Sequence, residues 1–198
     1  MTHVVLASKS AIRAELLRNS GLIPEIQPAN VDERAIEEPA MAKGASPAEV
    51  AVILAGEKAR AVSIVRPDAI VIGADQTLAL GLERFSKPKD RAAARAHLMR
   101  LRGRTHVLAS GAAIAIKGEV IWTGVQEAAL TMRPFSDEFL EEYLDQMGSV
   151  VTTTVGGYQL EGLGIQLFER IEGDTFTILG LPLLALLGGM RAHELLRD

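Results

Sequence analysis

The chain of 198 residues contains no cysteine, which excludes a disulfide frame, a thiolate metal site and a cysteine nucleophile together. Aromatic residues make up only 4%, with a single tryptophan. Positive charge is not in excess either: 21 Lys and Arg against 25 Asp and Glu leave a net charge of -4. A dedicated nucleic-acid binder normally carries a basic footprint, so stable nucleic-acid binding is not expected, although a local basic cleft is compatible with these numbers. No apolar run approaches the ~18 residues of a membrane span, and Met1–Ser8 show no charged segment followed by a long apolar one. The expectation is a soluble, cytoplasmic protein with no membrane partner. Internal repeats and low-complexity segments are absent. So are a Walker-A pattern, G-x-S-x-G, H-E-x-x-H and a dinucleotide fingerprint.

What is present is a core. Hydrophobic residues reach 48%, enough to bury a proper interior in one domain, residues 1–198, of bilobed form. Val4–Ala7 reads as a buried strand, followed by Ser8-Lys9-Ser10 and a helix through Leu16 and Leu17 that Gly21 stops. Pro24 to Pro28 reads as a short edge strand, and Asp32 to Gly44 as a charged, irregular loop. Ser46-Pro47-Ala48-Glu49 is a strong helix start, with cap, first-turn proline and capping-box glutamate. That helix is expected to run to about Val65 with Val50, Ile53/Leu54 and Ala61 on its buried stripe. Ala69–Ile72 then reads as a buried strand that ends at Gly73-Ala74 and presents Asp75, with Leu78–Leu80 as a separate extended stretch. Asp90 caps a helix carrying Ala94, Leu98 and Leu101. Thr105–Ile116 and Glu119–Trp122 form a hairpin across Lys117-Gly118, and Gln126–Met132 alternates. Ser136 opens a helix closed by Gly148. Gly156 to Gly164 is glycine-dense, Ile165–Ile171 alternates like a strand, and Gly180-Leu181-Pro182 begins a helical C-terminal region. The fold class is mixed α/β.

The polar residues admit two readings each. Ser8, Ser10 and Arg13 sit at a strand–loop–helix junction, where hydroxyls, free N–H groups and a guanidinium can hold phosphates; the plain alternative is capping beside a surface arginine. Asp75 is either a strand-end cap or a catalyst. Glu33 is a metal ligand or a solvated carboxylate. Lys58 and Lys87 are phosphate contacts or solvated lysines. Glu161, in the glycine-dense run, approaches a planar ligand or merely stabilises its loop. His97 and His106 fit no metal-ligand spacing and read as structural or surface. Two carboxylates, several cations, hydroxyls and a glycine loop suit a divalent metal with a polyphosphate substrate, because Mg²⁺-type sites use few carboxylates plus substrate oxygens.

These pieces, in this order, resemble the Maf family of nucleoside triphosphate pyrophosphatases. The motifs are Leu6-Ala-Ser-Lys-Ser10 with Arg13-Ala-Glu-Leu-Leu17, Val31-Asp-Glu33, Lys58-Ala59, Val71-Ile-Gly-Ala-Asp75 and Lys87-Pro88. Leu98 and Leu101-Arg-Gly103 with His106, Gly157-Tyr-Gln-Leu-Glu161-Gly162, Ile171-Glu-Gly173 and Gly180-Leu-Pro182 complete the set, which spans nearly the whole chain. The resemblance implies two lobes around a central substrate cleft, often in a homodimer. It implies hydrolysis of a nucleoside triphosphate between its α and β phosphates, with Mg²⁺, Mn²⁺ or Co²⁺, in a housecleaning role that the family links to cell-division arrest. Carried over, Asp75 accepts the proton or binds the metal, Glu33 assists the metal, and Ser8, Ser10, Arg13, Lys58 and Lys87 surround the triphosphate. Some positions depart from the family pattern: Ala11 and Ile12 stand where Pro and Arg are common, Ala14 replaces a frequent Arg, Gln76 a Thr, and Glu161 a Gln. Gln76 and Glu161 resemble the branch acting on 7-methyl-GTP rather than the dTTP/UTP branch, whereas Ile12 departs from that branch's aromatic residue. Ile12, Gln76 and Glu161 thus form the specificity set. The alternatives are a dTTP/UTP-type enzyme, a phosphohydrolase attacking the γ-phosphate, and a division-inhibiting interaction protein using the site as a nucleotide sensor.

Overall fold

The computed structural model describes residues 3–196. In chain order the elements are β1 (Val4–Leu6), α1 (Ala11–Asn19), β2 (Glu25–Ile26), α2 (Glu33–Ala42), α3 (Pro47–Val65), β3 (Ile70–Leu80) and β4 (Glu83–Phe85). They continue with α4 (Arg91–Leu101), β5 (Thr105–Ile116), β6 (Glu119–Met132), α5 (Asp137–Met147), β7 (Phe168–Glu172), α6 (Thr175–Ile178) and α7 (Leu183–Ala192). The strands follow the order β2-β1-β3-β5-β6-β7, with β4 also on β3. Pairing is parallel for β1 with β2 and β3, and antiparallel for β3 with β4 and β6 with β7. The sheet is therefore mixed, as expected. No helix among the described residues is long and apolar enough to cross a membrane.

The chain divides into two compact units. The first takes the residues up to Gln76, Ala109–Glu127 and those from Asp174 onward; the second takes Thr77–Leu108 and Ala128–Gly173. In the first unit the sheet is buried on both faces, which is why β1 and the start of β3 are continuous apolar runs rather than alternating ones. Val4, Leu6, Ile70 and Ile72 pack with Leu17, Leu186 and Met190 on one face, and Val5 and Val71 with Ala55, Ala59 and Val62 on the other.

Helix α3 opens on the anticipated capping box, with Ser46 Oγ accepting from Glu49 N at 3.2 Å and Glu49 Oε2 from Ser46 N at 2.7 Å. Val50 and Leu54 of the expected stripe are inside, joined by Ala51, Ala55, Ala59 and Val62, whereas Ile53 is exposed and Ala61 only half-buried. The face is chosen by closeness of approach. A Cβ on Gly73 would lie 2.0 Å from the Ala55 carbonyl oxygen, and one on Gly111 would lie 2.6 Å from that of Ala51. Alanines on the helix and glycines on the strands let the two backbones touch, and a bulky stripe cannot do so.

Other expectations change. Residues Asp32 to Gly44 are not irregular: Asp32 Oδ1 accepts from Ala35 N at 3.1 Å and starts α2, which buries no residue. Its helix propensity and cap act without an apolar stripe to announce them. The strand through Ala69–Ile72 does not end at Asp75 but runs unbroken to Leu80, so Asp75 is a mid-strand residue. Glycine and alanine at 73 and 74 mark close helix packing there, not a strand end. Residues Ile165–Leu167 lie in a 3₁₀ turn (Leu163–Leu167), and strand β7 begins only at Phe168. The hairpin turn forms as expected, Lys117 and Gly118 taking φ of 52° and 81°, the pair of positive values a tight two-residue turn requires, but its second strand runs unbroken from Glu119 to Met132 instead of ending at Trp122.

At the edge beside β1, β2 is two residues long and flanked by Pro24 and Pro28. Arg66 Nη1 and Nη2 donate to the two Glu25 carboxylate oxygens, each at 2.6 Å, and His3 Nε2 lies 3.0 Å from Oε2. The Arg66 hydrogen bonds, then that of His3, hold the Glu25 carboxyl down at about 2. In the second unit, His106 is fully buried with its Nε2 2.7 Å from the Tyr158 hydroxyl, and both rings pack on Phe168. It is structural, one of the two readings its spacing allowed.

Candidate active site

The site begins with packing. Because Gly73 lets α3 rest on β3, Lys58, one helical turn beyond Leu54, is aimed at the strand residue two positions past that glycine. Lys58 Nζ lies 2.6 Å from Asp75 Oδ1 and 2.7 Å from Glu33 Oε1. Lys58 and Asp75 are buried, while Glu33, in the first turn of α2, is half exposed. Two carboxylate oxygens thus sit within about two hydrogen-bond lengths of each other, bridged by one ammonium. Lys58 is therefore not a solvated helix lysine.

Arg13, on the first turn of α1, is clamped by its own unit. Its Nε donates to Gly180 O at 2.7 Å, and its Nη1 to Ala74 O at 2.8 Å and Ser8 Oγ at 3.2 Å. Nη2 makes no hydrogen bond to the described residues. Burial pulls the guanidinium down from the ordinary arginine value, and the charges of Asp75 and then Glu33 oppose this; an arginine stays protonated regardless. Ser10 caps α1, its Oγ accepting from Arg13 N at 3.4 Å, and Ser8 Oγ accepts from Ser10 N at 3.3 Å. Ser8, Arg13, Glu33, Lys58 and Asp75 are therefore gathered in one unit: two cations, two carboxylates and a hydroxyl.

Gln76 follows Asp75 and points its amide into the protein. Its Nε2 lies 3.1 Å from Ser110 Oγ, 3.1 Å from Thr177 O and 3.0 Å from Ile178 O. Those donors are spent inside the chain rather than presented to a base. Ser110 was not singled out in the sequence, although a lone hydroxyl in the small apolar run Leu108-Ala-Ser-Gly-Ala-Ala113 was the available signal. Ile12 is half-buried on α1. Lys87 and Glu161 belong to the second unit and are exposed, with no side-chain hydrogen bond or ion pair to the described residues. Two concavities of about 310 Å³, one lined by Arg91, Asp145 and Thr152 and the other by His3, Arg66 and Asp68, contain none of the candidate residues.

The family model described as Maf-like protein matches residues 3–193. The chain belongs to the Maf family. Curated Maf relatives agree over almost their full length. A "7-methyl-GTP pyrophosphatase" from Rhizobium meliloti (strain 1021) is 51% identical over 188 residues, covering 95% of this chain and 94% of that protein. A "Nucleoside triphosphate pyrophosphatase" from Bradyrhizobium diazoefficiens is 52% identical over 193 residues, 98% of this chain and 95% of its own. Among solved structures, a nucleoside-triphosphatase (dITP/XTP pyrophosphatase) from Mycobacterium abscessus gives a TM-score of 0.45 at 16% identity, over 98% of this chain and 96% of that one. That likeness is too weak to inform fold or function.

Proposed function

We propose that this Maf protein is a hydrolase that cleaves a nucleoside triphosphate between its α and β phosphates, releasing a monophosphate and pyrophosphate, with 7-methyl-GTP as the preferred substrate. The observation that carries the reading is Lys58 Nζ held 2.6 Å from Asp75 and 2.7 Å from Glu33, beside the clamped Arg13. Attack by water on phosphorus that already carries negative charge requires cations at the phosphate oxygens. Arg13 Nη2 and Lys58 supply them, and Asp75 is the carboxylate that orients the water and takes its proton. The water oxygen bonds to phosphorus, the bridging oxygen leaves with pyrophosphate, and one proton passes to Asp75. A divalent cation suits Glu33 with Asp75, since two carboxylates completed by substrate oxygens are the usual protein share of a Mg²⁺ site. When bound, it supplies further positive charge at the phosphates. The relatives named for 7-methyl-GTP support the substrate preference, as does Glu161. Glu161 is the base reader in this proposal, because a carboxylate offers only acceptors and guanine presents adjacent N1–H and N2–H donors.

The test is incubation with 7-methyl-GTP, GTP, UTP and dTTP, with Mg²⁺ or Mn²⁺, and analysis of both products. Pyrophosphate and a monophosphate are expected, with chelation abolishing release. Orthophosphate with a diphosphate product would overturn the reading in favour of γ-phosphate attack. Asp75→Asn keeps the size and removes the charge, so turnover should fall at least about 100-fold, the lower end of general acid–base contributions; near-normal turnover refutes its role.

A further inference from the structure

Helix α6 is only four residues long, and like any helix it ends with carbonyls that have no partner inside it. Asp174 caps its start, Oδ1 accepting from Thr177 N at 2.9 Å. Its end is closed by two side chains far away in sequence. Ser110 Oγ donates to Thr177 O at 2.7 Å, and Gln76 Nε2 reaches Thr177 O and Ile178 O. Ser110 and Thr177 are fully buried, so the hydrogen bond between them forms away from water, where an unpaired partner is costly. After Ile178 the chain turns through Gly180 at φ 95°, with Gly180 N on Thr177 O at 3.0 Å. That turn delivers the Gly180 carbonyl to Arg13 Nε at 2.7 Å. A Cβ at Gly180 would stand 3.3 Å from the same Nε, so the turn and the guanidinium are in direct register.

We infer that Ser110 is a positioning residue for Arg13, acting with Gln76 as a side-chain cap that holds the Thr177–Gly180 turn and thereby sets the direction in which Arg13 Nη2 faces a polyphosphate. The residue after the catalytic carboxylate then influences the reaction without touching the base: Gln76 builds the turn that aims the arginine. A threonine at that position has neither the reach nor the two amide hydrogens to close both carbonyls. This inference rests on the proposed role of Arg13 in binding phosphate.

The experiment is a double-mutant cycle on the full chain, combining Ser110→Ala with Arg13→Ala. It is read twice: as kcat/KM for 7-methyl-GTP and as calorimetric Kd for inorganic tripolyphosphate. Ser110→Ala alone should weaken both by about five- to tenfold, the scale of one buried hydrogen bond. In the Arg13→Ala background it should change neither by more than about twofold, because the group it positions is gone. The same loss in both backgrounds overturns the inference and leaves Ser110 a purely structural residue. Gln76→Met, close in size but without amide donors, provides a second cycle should Ser110→Ala fail to fold, with the same expected and refuting outcomes. If the wild-type protein cleaves no triphosphate, the proposed activity fails by itself, and the tripolyphosphate cycle still decides whether Ser110 acts through Arg13.

Discussion

Replacing Gly73 by alanine adds one methyl group at the seat of α3, and the structure indicates how badly it fits. The new Cβ would lie 2.0 Å from Ala55 O, 2.7 Å from Ala59 N and 2.9 Å from Ala59 Cβ. Two of these are backbone atoms of a nineteen-residue helix, so no side-chain rotation relieves the overlap and the helix must retreat by more than an ångström. Overpacking a close-packed interior costs about 1–3 kcal/mol, and a clash with backbone belongs at the upper end, about 3 kcal/mol. For a chain of this size that corresponds to a Tm lower by roughly 6–12 °C. The same retreat draws Lys58 from Asp75, so pyrophosphate release should fall at least about tenfold even where the variant remains folded. The control is Gly56→Ala on the same helix, where a Cβ meets nothing within 4 Å. There the lost glycine flexibility should raise stability by about 0.5–1 kcal/mol. Urea unfolding with comparison of midpoints and slopes is the assay. A Gly73→Ala protein within about 0.5 kcal/mol of wild type would refute the argument that direct backbone contact seats this helix.

Burial holds His106 down at about 4 against about 6.5 when unfolded. Between those values only the unfolded chain takes up the proton, so stability falls as pH falls through that window, by about 2.5 kcal/mol at pH 4.5. Urea unfolding at pH 7.5 and 4.5 should show His106→Gln losing less than wild type by roughly that amount, and equal losses would remove His106 as the cause. Glu161→Gln should lower the ratio of kcat/KM for 7-methyl-GTP to that for UTP by about tenfold or more, since a polar match left unanswered is heavily penalised; an unchanged ratio means that Glu161 does not read the base. Glu33→Gln should raise the Mn²⁺ concentration needed for half-maximal activity by about tenfold while leaving the unfolding midpoint nearly unchanged, because the residue is half exposed. Unaltered metal dependence would take Glu33 out of the cation site.

Local chemistry was legible in the sequence wherever one short motif decides it. The capping box at Ser46 and Glu49, the Lys117-Gly118 turn and the aspartate cap at 90 each close their hydrogen bonds within a few residues. The gathering of Arg13, Lys58 and Asp75 was legible only through the family resemblance, because their spacing carries no period. Helix α2 was missed because it buries nothing and has no stripe to read. The face of α3 was only partly legible: Val50 and Leu54 are buried as read, but Ala51, Ala55 and Ala59 were missed because they are inside through backbone contact rather than hydrophobic size. Asp75 was placed at a strand end because Gly73-Ala74 resembles a stop signal, whereas in the folded chain these small residues make room for a helix. The pairing of Ser110 and Gln76 with the end of α6 joins residues 67 to 102 positions apart, and no local pattern encodes it.

The outer strand β2 bears on how this protein behaves in crowded solution. A bare sheet edge invites another chain to add a strand, and Ile23 and Ile26 lie open to solvent beside this one. Two features keep the edge unattractive. Pro24 and Pro28 withhold amide hydrogens at either end, leaving too short a ladder for a visitor to continue. Glu25, fixed by Arg66 and His3, keeps a carboxylate on the edge down to about pH 2, so mild acid does not strip it. The safeguard depends chiefly on one guanidinium: without Arg66 only His3 would still hold Glu25 down, the carboxylate would be lost at a higher pH, and the isoleucines would become the seam along which molecules stick together in acid.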